Sequence, residues 1–298
     1  AIIGMRVRAK CNESGLNHYM GIAISAFIAT MLAWASTLLP AEWTSTPWHP
    51  LLACALFIVP GVPLINFVDD MLDNYIQVGI VRAVNTLLMV SAMAFGIAFA
   101  VKLCSIGDFF PTISMVPHHN YLEYAIAAAI SAMGFSMIFN IQRRLLWVVA
   151  IGGIIAVCTR NFVNLGPSTN NIGLDMGLVI GSFSGSVLVS LIAIKAVHWF
   201  HVPNHVLTIP SVIPMIPGVL MYRMLFGLIN MNVQSIDQVT PLMKAIESGV
   251  NSGLVIMCIA LGVAIPNIFG RKYIASSKNK RLAEILKERK ARGKFVEW

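Results

Sequence analysis

Long apolar runs recur along this chain from Tyr19 to Phe269, and they dictate the solvent the fold is built for. Hydrocarbon offers no hydrogen bonds, so a segment that crosses it must pair its own backbone groups, and an apolar run of about 20 residues reads as a spanning helix. The runs predict helices at Tyr19–Leu39, His49–Val68, Val78–Cys104, Leu122–Asn140, Leu145–Thr159, Gly173–Val197, Val206–Leu228 and Ala245–Phe269. Charge agrees with that reading. Only 11% of the 298 residues are charged, against about a quarter in an ordinary soluble domain. The expected fold class is an all-α integral membrane protein of about eight transmembrane helices.

Orientation follows from where Lys and Arg fall in short loops and flanks. With Ala1–Asn17 on the cytoplasmic side, Arg6, Arg8, Lys10, Arg82, Arg143, Arg144, Lys195 and the whole basic run from Arg271 to Lys294 lie inside. The exceptions are Lys102, Arg160, Arg223 and Lys244. Both ends of the chain are therefore expected in the cytoplasm, and the net charge of +8 is mainly a topology signal. The tail from Arg271 to Trp298 reads as a solvated amphipathic helix, with attachment to anionic lipid as its alternative. No aromatic-basic module for nucleic acid is present.

The five cysteines, Cys11, Cys54, Cys104, Cys158 and Cys258, show no paired spacing and read as small hydrophobes. His118, His119, His198, His201 and His205 fall in loops without a thiol or carboxylate partner, so neither a metal nor a cofactor is expected. No nucleophile elbow, phosphate-binding loop or metalloprotease motif occurs, which disfavours a membrane hydrolase or an ATP-driven pump.

Two stretches of the chain match. Phe57-Ile58-Val59-Pro60-Gly61-Val62 parallels Pro214-Met215-Ile216-Pro217-Gly218-Val219, each inside an apolar run. In the spans that follow, Asn85 precedes Gly96-Ile97-Ala98 as Asn251 precedes Gly262-Val263-Ala264. In the spans before, Gly21, Ser25, Ala29 and Ala33 recur every fourth residue, as do Gly173, Gly177, Gly181 and Gly185. Small residues at that spacing let another backbone approach closely. The Pro-Gly spans are the second and the seventh, an odd number apart, so the two copies run in opposite directions. That is an inverted-topology repeat, as in many secondary transporters. The second copy has five spans and the first shows three, so two more are expected upstream of Ala1. The expected division is residues 1–104 for the end of the first repeat, 105–270 for the complete second repeat and 271–298 for the basic tail.

The matched residues also carry a resemblance. Val59-Pro60-Gly61-Val62-Pro63-Leu64-Ile65-Asn66 with Asp69, Gly79-Ile80-Val81-Arg82, Gly134-Phe135-Ser136-Met137-Ile138-Phe139-Asn140 and Val212-Ile213-Pro214-Met215-Ile216-Pro217-Gly218 together resemble the threonine/serine exporter family, including its two-component relatives linked to succinate export. The resemblance covers nearly everything except the tail. It implies ten spans in two halves, here fused and lacking the N-terminal region. It also implies a bacterial-type cytoplasmic membrane and proton-coupled export of threonine, serine or a C4-dicarboxylate. Partners would be that small substrate, the bilayer and, optionally, further copies of the chain.

Proline removes a helical donor and frees a carbonyl, which in lipid must find protein, water or ligand. Two such breaks facing one another suggest a substrate site. The helix after each break turns its positive N-terminal end toward the gap, which favours a carboxylate. The candidate binding residues are Pro60, Gly61, Asn66, Asn85, Pro217, Gly218, Arg223 and Asn251. Arg223 takes the register position of Asn66, and its planar fork suits a carboxylate; snorkelling to headgroups is its alternative. Asp69 and Asp70, with Arg82 beyond, are the candidates for proton coupling. A channel or a non-transporting scaffold stands as the alternative of another class.

Overall fold

The computed structural model describes residues 2–35, 60–104, 120–167, 172–200, 202–229 and 239–291. The described elements are α1 (Ile2–Glu13), α2 (His18–Trp34), α3 (Gly61–Leu72), α4 (Ile76–Leu103), α5 (Tyr121–Ile138), α6 (Leu146–Asn164), α7 (Gly177–Phe200), α8 (Asn204–Val212), α9 (Gly218–Ile229) and α10 (Val239–Ala291). Short 3-10 turns lead into α6 at Arg143–Leu145 and follow α8 at Ile213–Met215. Among the described residues there is no strand.

Among the described residues, five stretches are long and apolar enough to cross a membrane: Ile76–Leu103, Tyr121–Ile138, Arg143–Asn164, Gly177–Val197 and Leu242–Gly270. His18–Trp34 is a shorter apolar helix. The second expected span, His49–Val68, lies outside the described residues up to position 59. The seventh, expected over Val206–Leu228, is not one helix. It is α8, a 3-10 turn and α9, of 9, 3 and 12 residues. At 1.5 Å per residue neither α8 nor α9 alone crosses about 30 Å of hydrocarbon. α10 has 53 residues and carries the basic tail onward as one helix.

Local chemistry sets the ends of these helices. Asn17 caps α2, its side chain accepting from the Tyr19 amide at 2.9 Å. Three turns share one closure. Gly15, Asn74 and Asn140 sit at φ 72°, 70° and 54°, and each ends its helix with a left-handed residue and two backward bonds. After α3 these bonds run from Tyr75 N to Asp70 O at 2.9 Å and from Asn74 N to Met71 O at 3.2 Å. Glycine and asparagine are the residues that reach this conformation most cheaply, so they punctuate the helices. Asn140 is thus a helix terminator.

The helices group into two compact units, Ala1–His118 with Ile216–Met257, and His119–Met215 with Cys258–Trp298. α10 contributes to both. In the first unit, α2 packs along α4, and a β-carbon on Gly96 would sit 2.2 Å from the Ala23 carbonyl oxygen. In the second unit, α10 packs along α7, and a β-carbon on Gly262 would sit 2.8 Å from the Phe183 carbonyl oxygen. Gly96 and Gly262 hold matching places in the two similar stretches of sequence, and each admits another helix backbone closely. Gly181 and Gly185 bring α7 against the α6 backbone at Arg160 and Ala156. Gly173 does not extend that helical stripe. It precedes α7, in a segment folded back on α6 through bonds such as Asp175 N to Leu165 O at 3.1 Å. The core of the second unit includes Ala132, Leu145, Val149, Ala193, Ala196 and Leu207.

Because backbone, not a movable side chain, faces Gly96, alanine there must push two helices apart. Gly96→Ala is expected to cost about 1–3 kcal/mol, read as a lowered midpoint in thermal unfolding of the detergent-purified protein. Gly253→Ala, where a β-carbon meets nothing within 4 Å, is the control and is expected to leave packing intact.

Candidate functional site

The two Pro-Gly elements have the same local geometry. Pro60 stands at the N-cap of α3 and Pro217 just before α9. Both prolines are half-buried, and both following glycines, Gly61 and Gly218, are buried. The Pro60 carbonyl accepts from Leu64 N at 3.0 Å, and the Pro217 carbonyl from Met221 N at 3.2 Å. So each proline carbonyl is absorbed into the first turn of the helix it starts. Pro60 provides no side-chain cap, and Pro63 has no N–H to satisfy. Prolines therefore begin these half-helices where the missing donors cost least. In the second copy, Pro210 lies inside α8 and Pro214 within the 3-10 turn, which accounts for the break before α9.

Beside the first two turns of α3 and α9 lies a cavity of about 440 Å³, bounded by α3, α4, α9 and α10 within the first unit. Its lining has a regularity that no single helix explains. In the register that aligns Pro60 with Pro217, Leu64 pairs with Met221 and Phe67 with Met224. In the register that aligns Asn85 with Asn251, Ala83 pairs with Gly249, Thr86 with Ser252, Leu87 with Gly253 and Val90 with Ile256. All of these residues line the cavity. Only Val84 and Met257 line it without a matched partner. Leu64, Thr86, Val90, Ser252 and Ile256 are buried and form the floor. Leu87 and Met257 are exposed at the rim, so the cavity is open on one side.

The lining is apolar except for Thr86 and Ser252. Thr86 Oγ1 donates to the Arg82 carbonyl at 2.7 Å. Ser252 is buried, and its hydroxyl has no hydrogen-bond partner among the described residues.

The expected site residues fall around this cavity rather than on its wall. Asn66 and Arg223 are half-buried and sit one residue before the lining residues Phe67 and Met224. Asn85 is exposed and accepts from Tyr19 Oη at 2.7 Å, tying α4 to α2. Asn251 is exposed. Asn85 and Asn251 precede Thr86 and Ser252, and one residue turns a helix by about 100°, so the amides look away where the hydroxyls look in. The signal for the hydroxyls was in the repeat itself, one place beyond the asparagines. Asp70 and Arg82 come together as an ion pair, Nη1 to Oδ2 at 2.5 Å, joining α3 to α4. Arg82 therefore holds Asp70 through its side chain and Thr86 through its carbonyl, one helical turn from the cavity floor. Asp69 and Asp73 flank the pair at the end of α3.

A second cavity, of about 260 Å³, lies in the second unit among α6, α7 and α8, with Ser211 as its polar residue. There the Ser211 hydroxyl is occupied, donating to the Leu207 and Val149 carbonyls.

Comparison with known families agrees with the motif resemblance. A family model described as a threonine/serine exporter matches residues 1–104, and a second, "Threonine/Serine exporter, ThrE", matches residues 124–269. No solved structure matches the chain. The first match ends at Cys104 and the second begins at Tyr124. On this basis the chain belongs to the threonine/serine exporter family.

Proposed function

We propose that this membrane exporter carries threonine or serine, and that the cavity between α3, α4, α9 and α10 is its substrate site. The observation that carries this reading is the matched lining. Both Pro-Gly half-helices and both following spans contribute equivalent residues to one cavity. A packing gap has no reason to recruit the two copies of a repeat in register; a site built at the meeting of inverted repeats does. The family match supports threonine or serine as the substrate class.

The lining favours an amino acid with a short hydroxylated side chain over a C4-dicarboxylate. A dicarboxylate needs two cationic or strongly dipolar partners, and no cation lines the cavity. One carboxylate is within the means of a helix N-terminus, such as the start of α3 at Gly61 or of α9 at Gly218. Arg223, next to the lining residue Met224, is the assigned cationic support for it. Asn66, Asn85 and Asn251 hold the surrounding helices in register.

Proton coupling is assigned to the acidic end of α3. Protonation of Asp70 would release Arg82, which sits one turn below Thr86, and would loosen the α3–α4 hairpin beside the site. Asp69 is the second candidate proton carrier. Transport then follows from one repeat rocking against the other, with the chain lying in a cytoplasmic membrane and its C-terminal tail on the cytoplasmic side. The division at residues 104 and 270 is the repeat boundary in this scheme, whereas the two compact units group helices by contact.

The test is efflux from proteoliposomes loaded with labelled threonine, serine or succinate, with and without a pH gradient. Saturable, gradient-stimulated efflux of threonine and serine is expected; efflux of succinate in their place would reverse the substrate assignment. Gly253→Leu separates the site from the fold. The added side chain enters open space in the cavity, so transport is expected to fall by at least tenfold with thermal stability unchanged. Undiminished efflux from that variant would reduce the cavity to a lipid-filled groove. Arg223→Gln is expected to abolish uptake and efflux alike while the protein still purifies as a folded species, and normal flux would remove Arg223 from the mechanism.

A further inference from the structure

Helical serines and threonines in hydrocarbon ordinarily hide their hydroxyl by bonding the carbonyl four residues back. This protein follows that habit repeatedly. Ser136 bonds Ala132 O, Ser182 bonds Leu178 O, Ser186 bonds Ser182 O, and Ser248, one turn before Ser252, bonds Lys244 O. Thr86, the repeat equivalent of Ser252, bonds Arg82 O. Ser252 is different. It is 3% exposed, its hydroxyl has no partner among the described residues, and it lines the apolar cavity. A buried hydroxyl left unpaired is costly, and such a group in a native structure calls for an explanation. The habitual local bond to Ser248 O is not made.

We propose that Ser252 is the specificity-determining residue of the site, holding the hydroxyl of the substrate's side chain. This rests on the reading of the cavity as the substrate site. The ligand it selects carries a small alkyl group and one hydroxyl at the end that enters the cavity. The alkyl part meets Leu64, Val90 and Ile256 on the floor, and the hydroxyl replaces the bond Ser252 lacks. Thr86 does not duplicate this role, because its own proton is committed to Arg82 O. The pair that is equivalent in sequence is thus unequal in hydrogen bonding, and the asymmetry gives the substrate one preferred orientation. A site built around a polar partner rejects the analogue that lacks it, since the protein group is then left buried and unpaired.

Threonine and valine make the test clean, since they have the same shape and differ by a hydroxyl in place of a methyl. Binding of labelled L-threonine to the full chain in lipid nanodiscs would be measured in competition with unlabelled L-threonine and L-valine, alongside threonine efflux. Wild type is expected to favour threonine by about tenfold, the value of roughly one hydrogen bond. Ser252→Ala is expected to bring the ratio close to one, and Ser252→Thr, which keeps the hydroxyl, to restore the preference. If Ser252→Ala folds poorly, Ser252→Thr against Ser252→Val compares two side chains of equal shape. An unchanged ratio in Ser252→Ala, or equal ratios in the Thr and Val variants, overturns the assignment even where threonine is exported. Wild type that neither binds nor exports threonine overturns the substrate reading first, and this inference with it.

Discussion

A helix end leaves backbone groups that must be handed to something, and Pro60 and Pro217 stand where α3 and α9 begin. Pro60 and Pro217 each begin a half-helix and return their own carbonyl to its first turn. Amides at a helix start lack partners within the helix and attract negative charge; at α9 the Gly218 amide is already taken by the Ile216 carbonyl at 2.9 Å. The rest of the first unit is arranged around these starts. α4 lies beside α3, α9 carries the second start, and the stretch of α10 up to Met257 closes the cavity. Gly96 lets α2 lie close against α4. The site and the close packing around it thus depend on the same constraint, that no backbone polar group in lipid can be left to water.

The cavity is regular in its apolar wall and irregular in its polar groups. The apolar pairs Leu64 with Met221, Phe67 with Met224 and Val90 with Ile256 give a wall that treats the two halves alike. Thr86 and Ser252 share a register position but not a bonding state. Asp70 and Arg82 form an ion pair whose register equivalents in the second half, Gly227 and Ser248, carry no charge. Net charge, most of it in the tail, has no part in the cavity wall.

Much of the fold was legible in the sequence because hydrocarbon is an exacting solvent. Apolar runs near Val78–Cys104 and Ala245–Phe269 became α4 and the membrane part of α10. The expected fifth span, Leu145–Thr159, proved longer, since the helix runs on through the polar residues Arg160 and Asn161 to Asn164, past the point where apolar composition ends. Residues that read as helix by composition failed where the chain turned: Gly173 belongs to a folded-back segment that ends at Gly177, with φ 85°. The break before α9 was legible because proline cannot continue the helical bonding pattern; the corresponding stretch before Pro60 lies outside the described residues. The cavity wall was not. Asn85 and Asn251 are conspicuous amides of α4 and α10, and in sequence they outweigh the hydroxyls beside them. A quarter turn decides which neighbour faces inward, and only packing fixes that angle. Asn85 turns outward to Tyr19, and Thr86 faces the cavity.

The central claim is that substrate occupies the cavity formed by both Pro-Gly half-helices. Single cysteines at Leu87 and Gly253, in a protein freed of its own cysteines, lie on its wall from opposite halves of the repeat. Their rate of modification by a small thiol reagent, measured with increasing threonine, tests the claim most directly. Saturable protection at both positions, with the same half-saturating concentration, is the predicted result. Modification at both positions that is indifferent to threonine, in protein that still exports it, would contradict the account.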